Sequence, residues 1–210
     1  MSVINKIAFY QNRRDEVPNQ EVARELAQTR NAADIREIAE AVWNKEPNIQ
    51  SDCLKVLYEL GYLAPELIAG YVDDFIKLLK HPNNRMVWGG MIALSTIASL
   101  QAEAIFPHVD EIKKTMEAGS VITNDAGFKT LAKIASRKDE YRQQIIPYLL
   151  DRLENSRPVD APRYAEFIQA AIGPAEKDKF SDILVKWTAS ASGSRLARLR
   201  KVLKQVGELS

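Results

Sequence analysis

Three carboxylates, Glu37, Asp74 and Glu111, recur at an interval of 37 residues, and Asp73 and Asp110 share that interval beside the last two. Lys77 and Lys114 follow one helical turn later at the same spacing. Carboxylates and ammonium groups in such rows do the chemistry of recognition. An acidic stripe edged by lysines suits a basic or mixed-charge peptide, held by many weak contacts along an extended surface. Tyr148 and Arg152 continue the row. The same residues also meet a plainer need, because Asp73–Lys77 and Asp110–Lys114 are i,i+4 pairs that support a solvated helix face.

Other reactive side chains are few. His81 and His108 lie 27 apart, without the HxxxH or HxH spacing of a zinc site. Cys53 is the single cysteine, so no internal disulfide is available. It occupies a small-residue position shared, at the 37-residue interval, with Gly90 and Gly127, which reads as a packed thiol. No glycine-rich phosphate loop, GxSxG elbow or paired-cysteine cluster is present in the sequence. The expectation is therefore a chain with no catalytic residue, no metal and no cofactor.

Charge narrows the partners. The 210 residues include 29 Lys and Arg against 28 Asp and Glu, a net of +1, so no global field selects nucleic acid or anionic lipid. The distribution is uneven: residues 1–120 carry a net of −4 and residues 121–210 a net of +5. Much of the excess falls near the C-terminus, where Arg195, Arg198, Arg200, Lys201 and Lys204 face only Glu208. A basic patch of Arg195, Arg198 and Lys201 suits an acidic partner or nucleic acid, or else forms the wet side of a capping helix. Its apolar side lacks an aromatic anchor, which argues against membrane insertion. Residues 1–20 hold only the short apolar group Ile7-Ala8-Phe9-Tyr10, followed by charge, and no run approaches the ~18 apolar residues of a membrane span. An intracellular, cytoplasmic location is expected.

The elements that position these residues follow from the same interval. Ile35, Val72, Val109 and Ile146 form one apolar row; Ile38, Phe75, Ile112 and Leu149 a second; Val42, Leu79, Met116 and Leu153 a third. Offsets of three and four separate the rows, which places each set on one helix face. A second family comprises Leu54, Met91 and Phe128; then Leu57, Leu94, Leu131 and Ile168; then Leu60, Ile97 and Ile134. Each unit thus carries two amphipathic helices, with breaks at Gly61-Tyr62, Ser99, Ser136 and Gly173-Pro174 within units. The predicted organisation is a polar segment 1–19, units at about 20–47, 48–84, 85–121, 122–158 and 159–190, and a capping helix 195–207 along Leu196, Leu199, Leu203 and Val206. The run Thr188 to Ser194 reads as a flexible, low-complexity joint.

The stretch Asn84-Arg-Met-Val-Trp-Gly-Gly-Met-Ile-Ala-Leu-Ser-Thr-Ile-Ala98, followed by Ile105-Phe-Pro-His-Val-Asp-Glu-Ile-Lys-Lys-Thr-Met116, resembles a HEAT repeat. Leu131-Ala-Lys-Ile-Ala135 and Ile146-Pro-Tyr-Leu-Leu150 resemble it again, with a second helix opening near a proline. The 34-residue tetratricopeptide pattern does not fit the interval. The resemblance implies an all-α, right-handed superhelix of about five HEAT/armadillo-like helix pairs, with the second helix of each pair on the concave side. It also implies a non-catalytic scaffold that binds a partner protein or peptide there. Some HEAT-like proteins are alkylated-base DNA glycosylases, which use Trp and Tyr around an Asp on a basic concave face. Here Trp43, Trp88, Trp187, Tyr148, Tyr164 and Asp125, the last read as preceding a first helix, are the only counterparts, and an Asn-Trp-Asp-type motif is missing. Nucleic-acid binding through the basic C-terminal half stands as the alternative. Oligomeric state is left open.

Overall fold

The computed structural model describes residues 2–207, so Glu208 lies outside the described residues. Two compact units divide the chain, Met1–Gly127 and Phe128–Ser210. In the first, a short 3-10 turn at Val3–Lys6 precedes α1 (Val17–Thr29), α2 (Ala32–Ala41), α3 (Pro47–Leu63), α4 (Val72–Leu78), α5 (Asn84–Ile97), the single turn α6 (Ala102–Ile105) and α7 (Val109–Ala118). Helix α8 (Val121–Ala135) begins in the first unit and ends in the second, which continues with α9 (Asp139–Glu154), α10 (Ala161–Ile168), α11 (Lys177–Ser190) and α12 (Gly193–Gly207). No strand occurs among the described residues.

Helix starts obey the 37-residue interval as strictly as the apolar rows do. Glu46, Asn83 and Ser120 each accept a backbone N–H just inside the following helix, from Asn48 (3.1 Å), Arg85 (2.9 Å) and Thr123 (3.3 Å). Each side chain thereby satisfies one donor that helical hydrogen bonding leaves open. Pro47 takes the first position of α3, where its missing N–H costs nothing.

Within the first unit α3 packs between α1 and α5, α2 lies against α3, and α4 against α5. Every residue of the six predicted apolar rows is at most 6% exposed. Burial of these rows at roughly 25 cal/mol per Å2 is the main source of stabilisation. The small residues allow the close approach this needs. A Cβ added at Gly90 would lie 2.8 Å from Leu78 Cβ and 3.2 Å from the Phe75 carbonyl oxygen, and one at Gly127 would lie 2.4 Å from Met116 Cγ. Glycine is required there because second-helix atoms occupy the space of a side chain.

Several local expectations change. Residues 3–8 fold onto α1 and α2, burying Val3, Ile7 and Ala8. The run Thr188 to Ser194 is not a flexible joint: α11 extends through Ser190, and α12 starts at Gly193, whose φ of +58° makes the sharp change of direction. Helix α9 does not open near Pro147 but runs through it, with the residue on the exposed side. Asp125 lies inside α8 rather than ahead of it. In α12 the buried residues are Leu199, Val202 and Val206, with Leu196 and Leu203 half-buried, because the helix is gripped by both α10 and α11.

Candidate functional site

The acidic row falls mid-way along α2 at Glu37 and on the first turns of α4 and α7. Asp73 and Asp74 open α4, and Asp110 and Glu111 open α7, where negative charge complements the helix dipole. Lys77 lies in the last turn of α4. Asp73, Lys77, Asp110 and Lys114 are exposed, while Asp74 and Glu111 are half-buried.

The difference between the exposed and half-buried acids has a specific cause. The Trp43 indole Nε1, just past the end of α2, donates to Asp74 Oδ1 at 3.2 Å. Lys80 Nζ, just past the end of α4, pairs with Glu111 Oε2 at 3.0 Å. Trp43 and Lys80 are themselves 37 residues apart. At the head of the series, the Ser2 hydroxyl of the N-terminal arm donates to Glu37 Oε1. Each carboxylate of the Glu37–Asp74–Glu111 row therefore receives a donor from the segment before it, and the row staples successive second helices together. Sequence reasoning found the acceptors and missed the donors. The signal was available in the shared interval of Trp43 and Lys80, but an indole and an ammonium group are unlike enough to conceal a common role.

The outer charges remain for other work. Asp110 makes a long 3.5 Å contact with Lys113, and both line a shallow depression of about 490 Å3 with Lys80, Glu111, Lys114 and Glu117. Among the described residues, Glu111 Oε1 is a buried acceptor without a hydrogen-bond partner. Tyr148 and Arg152 lie half-buried on α9, in the second unit. The C-terminal patch divides as well. Arg195 and Lys201 are exposed, but Arg198 grips Glu166 of α10 through Nε (2.7 Å) and Nη2 (2.6 Å). That guanidinium holds the Glu166 carboxyl below its ordinary pKa. A separate pairing, Lys186 with Glu154 at 2.6 Å, ties α11 to α9, and the Trp187 indole donates to the Leu153 carbonyl at 3.2 Å.

The remaining candidates are structural. Cys53 is fully buried, and its thiol is pushed up to about 12, by burial first and by the negative charges of Asp52 and Glu37 after it. His81 Nδ1 accepts the Asn83 backbone N–H at 3.1 Å, which shapes the turn before α5. Trp88 packs against Tyr58, ring centroids 6.2 Å apart. No cluster of three or more metal-binding side chains occurs among the described residues, and no described helix is long and apolar enough to cross a membrane.

Stacked helix pairs with a strict interval, buried apolar rows and stapled second helices define an armadillo/HEAT-like α-solenoid, and known structures share that fold. A designed armadillo repeat protein in complex with the peptide (KR)4 matches 97% of this chain and 97% of its own, at 16% identity and TM-score 0.67. An engineered protein matches 99% of this chain and 97% of its own, at 19% identity and TM-score 0.66. The karyopherin Kap121p bound to the SUMO protease Ulp1p matches 97% of this chain over 22% of the karyopherin, at 16% identity and TM-score 0.63. No protein-family model matches the chain, and no curated protein does.

Proposed function

We propose that this chain is a non-catalytic scaffold that binds a segment of a partner protein on the second-helix face formed by α4 and α7. The observation that carries the reading is the repetition of exposed Asp73–Lys77 and Asp110–Lys114 in one register on two helices joined by the Lys80–Glu111 pair. A side chain arriving with the partner would meet the same charge pattern at each step. The solved structures with this fold include one holding a basic peptide and one holding a protein, which supports the same use of the surface here. With one cysteine and no internal disulfide, we take the partner to be intracellular.

The test places a photo-crosslinking residue at Lys77 or Lys114 in cells that make the protein. The expected outcome is one shared partner from both positions and none from the exposed Lys45 outside this face. Lys77→Glu with Lys114→Glu should then abolish that crosslink from Asp73 while leaving the melting temperature within a degree or two. Equal crosslinking from Lys45, or none from either lysine, would sink the assignment.

A further inference from the structure

Two of the three tryptophans hold helices together through their indole N–H. Trp43 donates to Asp74 and Trp187 to the Leu153 carbonyl. The Trp88 indole N–H has no acceptor among the described residues, although its ring is fixed in place. Trp88 is half-buried on α5 and lies against Tyr58 of α3, with centroids 6.2 Å and planes 57° apart. One turn further along α3, Tyr62 meets Tyr58 edge-on at 6.5 Å and is 56% exposed. Its hydroxyl, too, has no hydrogen-bond partner among the described residues. Tyr58 is buried, so it forms a floor from which Tyr62 and Trp88 reach solvent. The two helices that carry the rings touch closely, because side chains of Thr96 and Leu54 fill the places of a Cβ at Gly61 and Gly89.

The charges beside the rings are already balanced. Lys55 Nζ lies 4.8 Å from the Tyr58 ring centroid, with Glu16 at 2.8 Å and Glu59 at 2.7 Å. Arg85 approaches the other oxygen of Glu16 at 3.8 Å. Two cations thus offset two carboxylates, and the surface has no net charge to match against a charged segment. An ammonium group from a partner would also find the Tyr58 ring occupied by Lys55.

We infer that the Tyr58–Tyr62–Trp88 face of α3 and α5 docks an uncharged, proline-rich segment of a partner protein in the polyproline conformation. Proline-rich segments dock on aromatic side chains, and a polyproline helix makes no internal hydrogen bonds, so its carbonyls are free to accept. Proline has no N–H, so the segment supplies acceptors to Trp88 and Tyr62 and brings no donor that needs a partner. Being ordered before it binds, it loses little conformational entropy on docking. An amphipathic helix suits the face less well, because its carbonyls are already bonded within the helix. Bases of a single-stranded nucleic acid would stack on the rings, but its phosphates would meet Glu16 and Glu59. The inference goes beyond the binding face on α4 and α7, since these rings belong to first helices.

Fluorescence anisotropy with the purified full chain and a labelled oligoproline tests it, alongside a labelled Lys-Arg peptide and a labelled oligothymidylate. Oligoproline binding should change little between about 50 and about 500 mM salt, because no ion pair carries it. Trp88→Phe keeps a ring and removes the donor, and should weaken binding about fivefold. Tyr62→Ala, at an exposed position, should weaken it about tenfold. Both variants should keep the melting temperature within a degree or two, and Lys77→Glu should leave binding unaltered. No oligoproline binding, undiminished affinity in both ring variants, or tighter capture of either other probe through the same rings would overturn the assignment. So would light scattering that shows a dimer dispersed by Tyr62→Ala, since a second copy would then cover this face. None of these readouts uses the crosslinked partner, so the two readings fail separately.

Discussion

Cys53 shows how a residue's neighbours decide what its chemistry can be. A thiol with an ordinary value of 9.0 and pushed to about 12 holds almost no thiolate at neutral pH, so it is neither a nucleophile nor a metal ligand in the fold. Because the folded value is raised, folding holds the proton more tightly. The thiol's contribution is complete below about pH 9 and is lost as pH climbs toward about 12. The native chain should therefore resist alkylation at pH 8 and react only at its unfolding rate. Modification at the speed of a free thiol would show that the packing around Cys53 is wrong. The acidic row makes the same point in reverse. Its spacing was visible in the sequence, but whether a carboxylate waits for a partner or holds two helices together depends on a donor about 31 residues upstream.

At the scale of helices, approach distance is the controlling variable. Gly90 allows α5 to touch α4, where backbone and Cβ atoms leave no room for even a methyl group. Alanine is the better helix former by about 1 kcal/mol, so Gly90→Ala would stabilise an isolated helix. Here overpacking wins, and the substitution should cost about 1–3 kcal/mol in urea unfolding. Gly70, with nothing within 4 Å of its added Cβ, is the control, and Gly70→Ala should stay within about 0.5 kcal/mol. If both variants behave alike, close helix contact is not what fixes glycine at position 90. The start of α9 was not legible by resemblance, because proline is common in a first helical turn but is also accommodated inside a helix, as Pro147 is on the exposed side of α9.

For the molecule as a whole, segments outside the α-helices also belong to the core. Residues 3–8 cover the apolar face of the first helix pair, fastened by Lys6 to Glu25 at 2.7 Å and by the Phe9 N–H to Asp52 at 2.8 Å. Ile7 is wholly buried in this segment. Ile7→Ala should cost about 2–4 kcal/mol, read from the denaturation midpoint, although the residue precedes every α-helix. A cost below about 1 kcal/mol would mean that the arm merely rests on the surface. The Ser2 hydroxyl beside it also donates to Glu37, the first carboxylate of the staple series.

The sequence alone determined the interval, the helix faces and the all-helical stack, because a periodic apolar row has one way to leave water and every residue in those rows is buried. It also placed the charged row on the second helices. Tertiary structure decided which charges are occupied. Trp43, Lys80 and Arg198 reach carboxylates on other helices, and a pairing across helices depends on angles and side-chain reach that no single helix encodes.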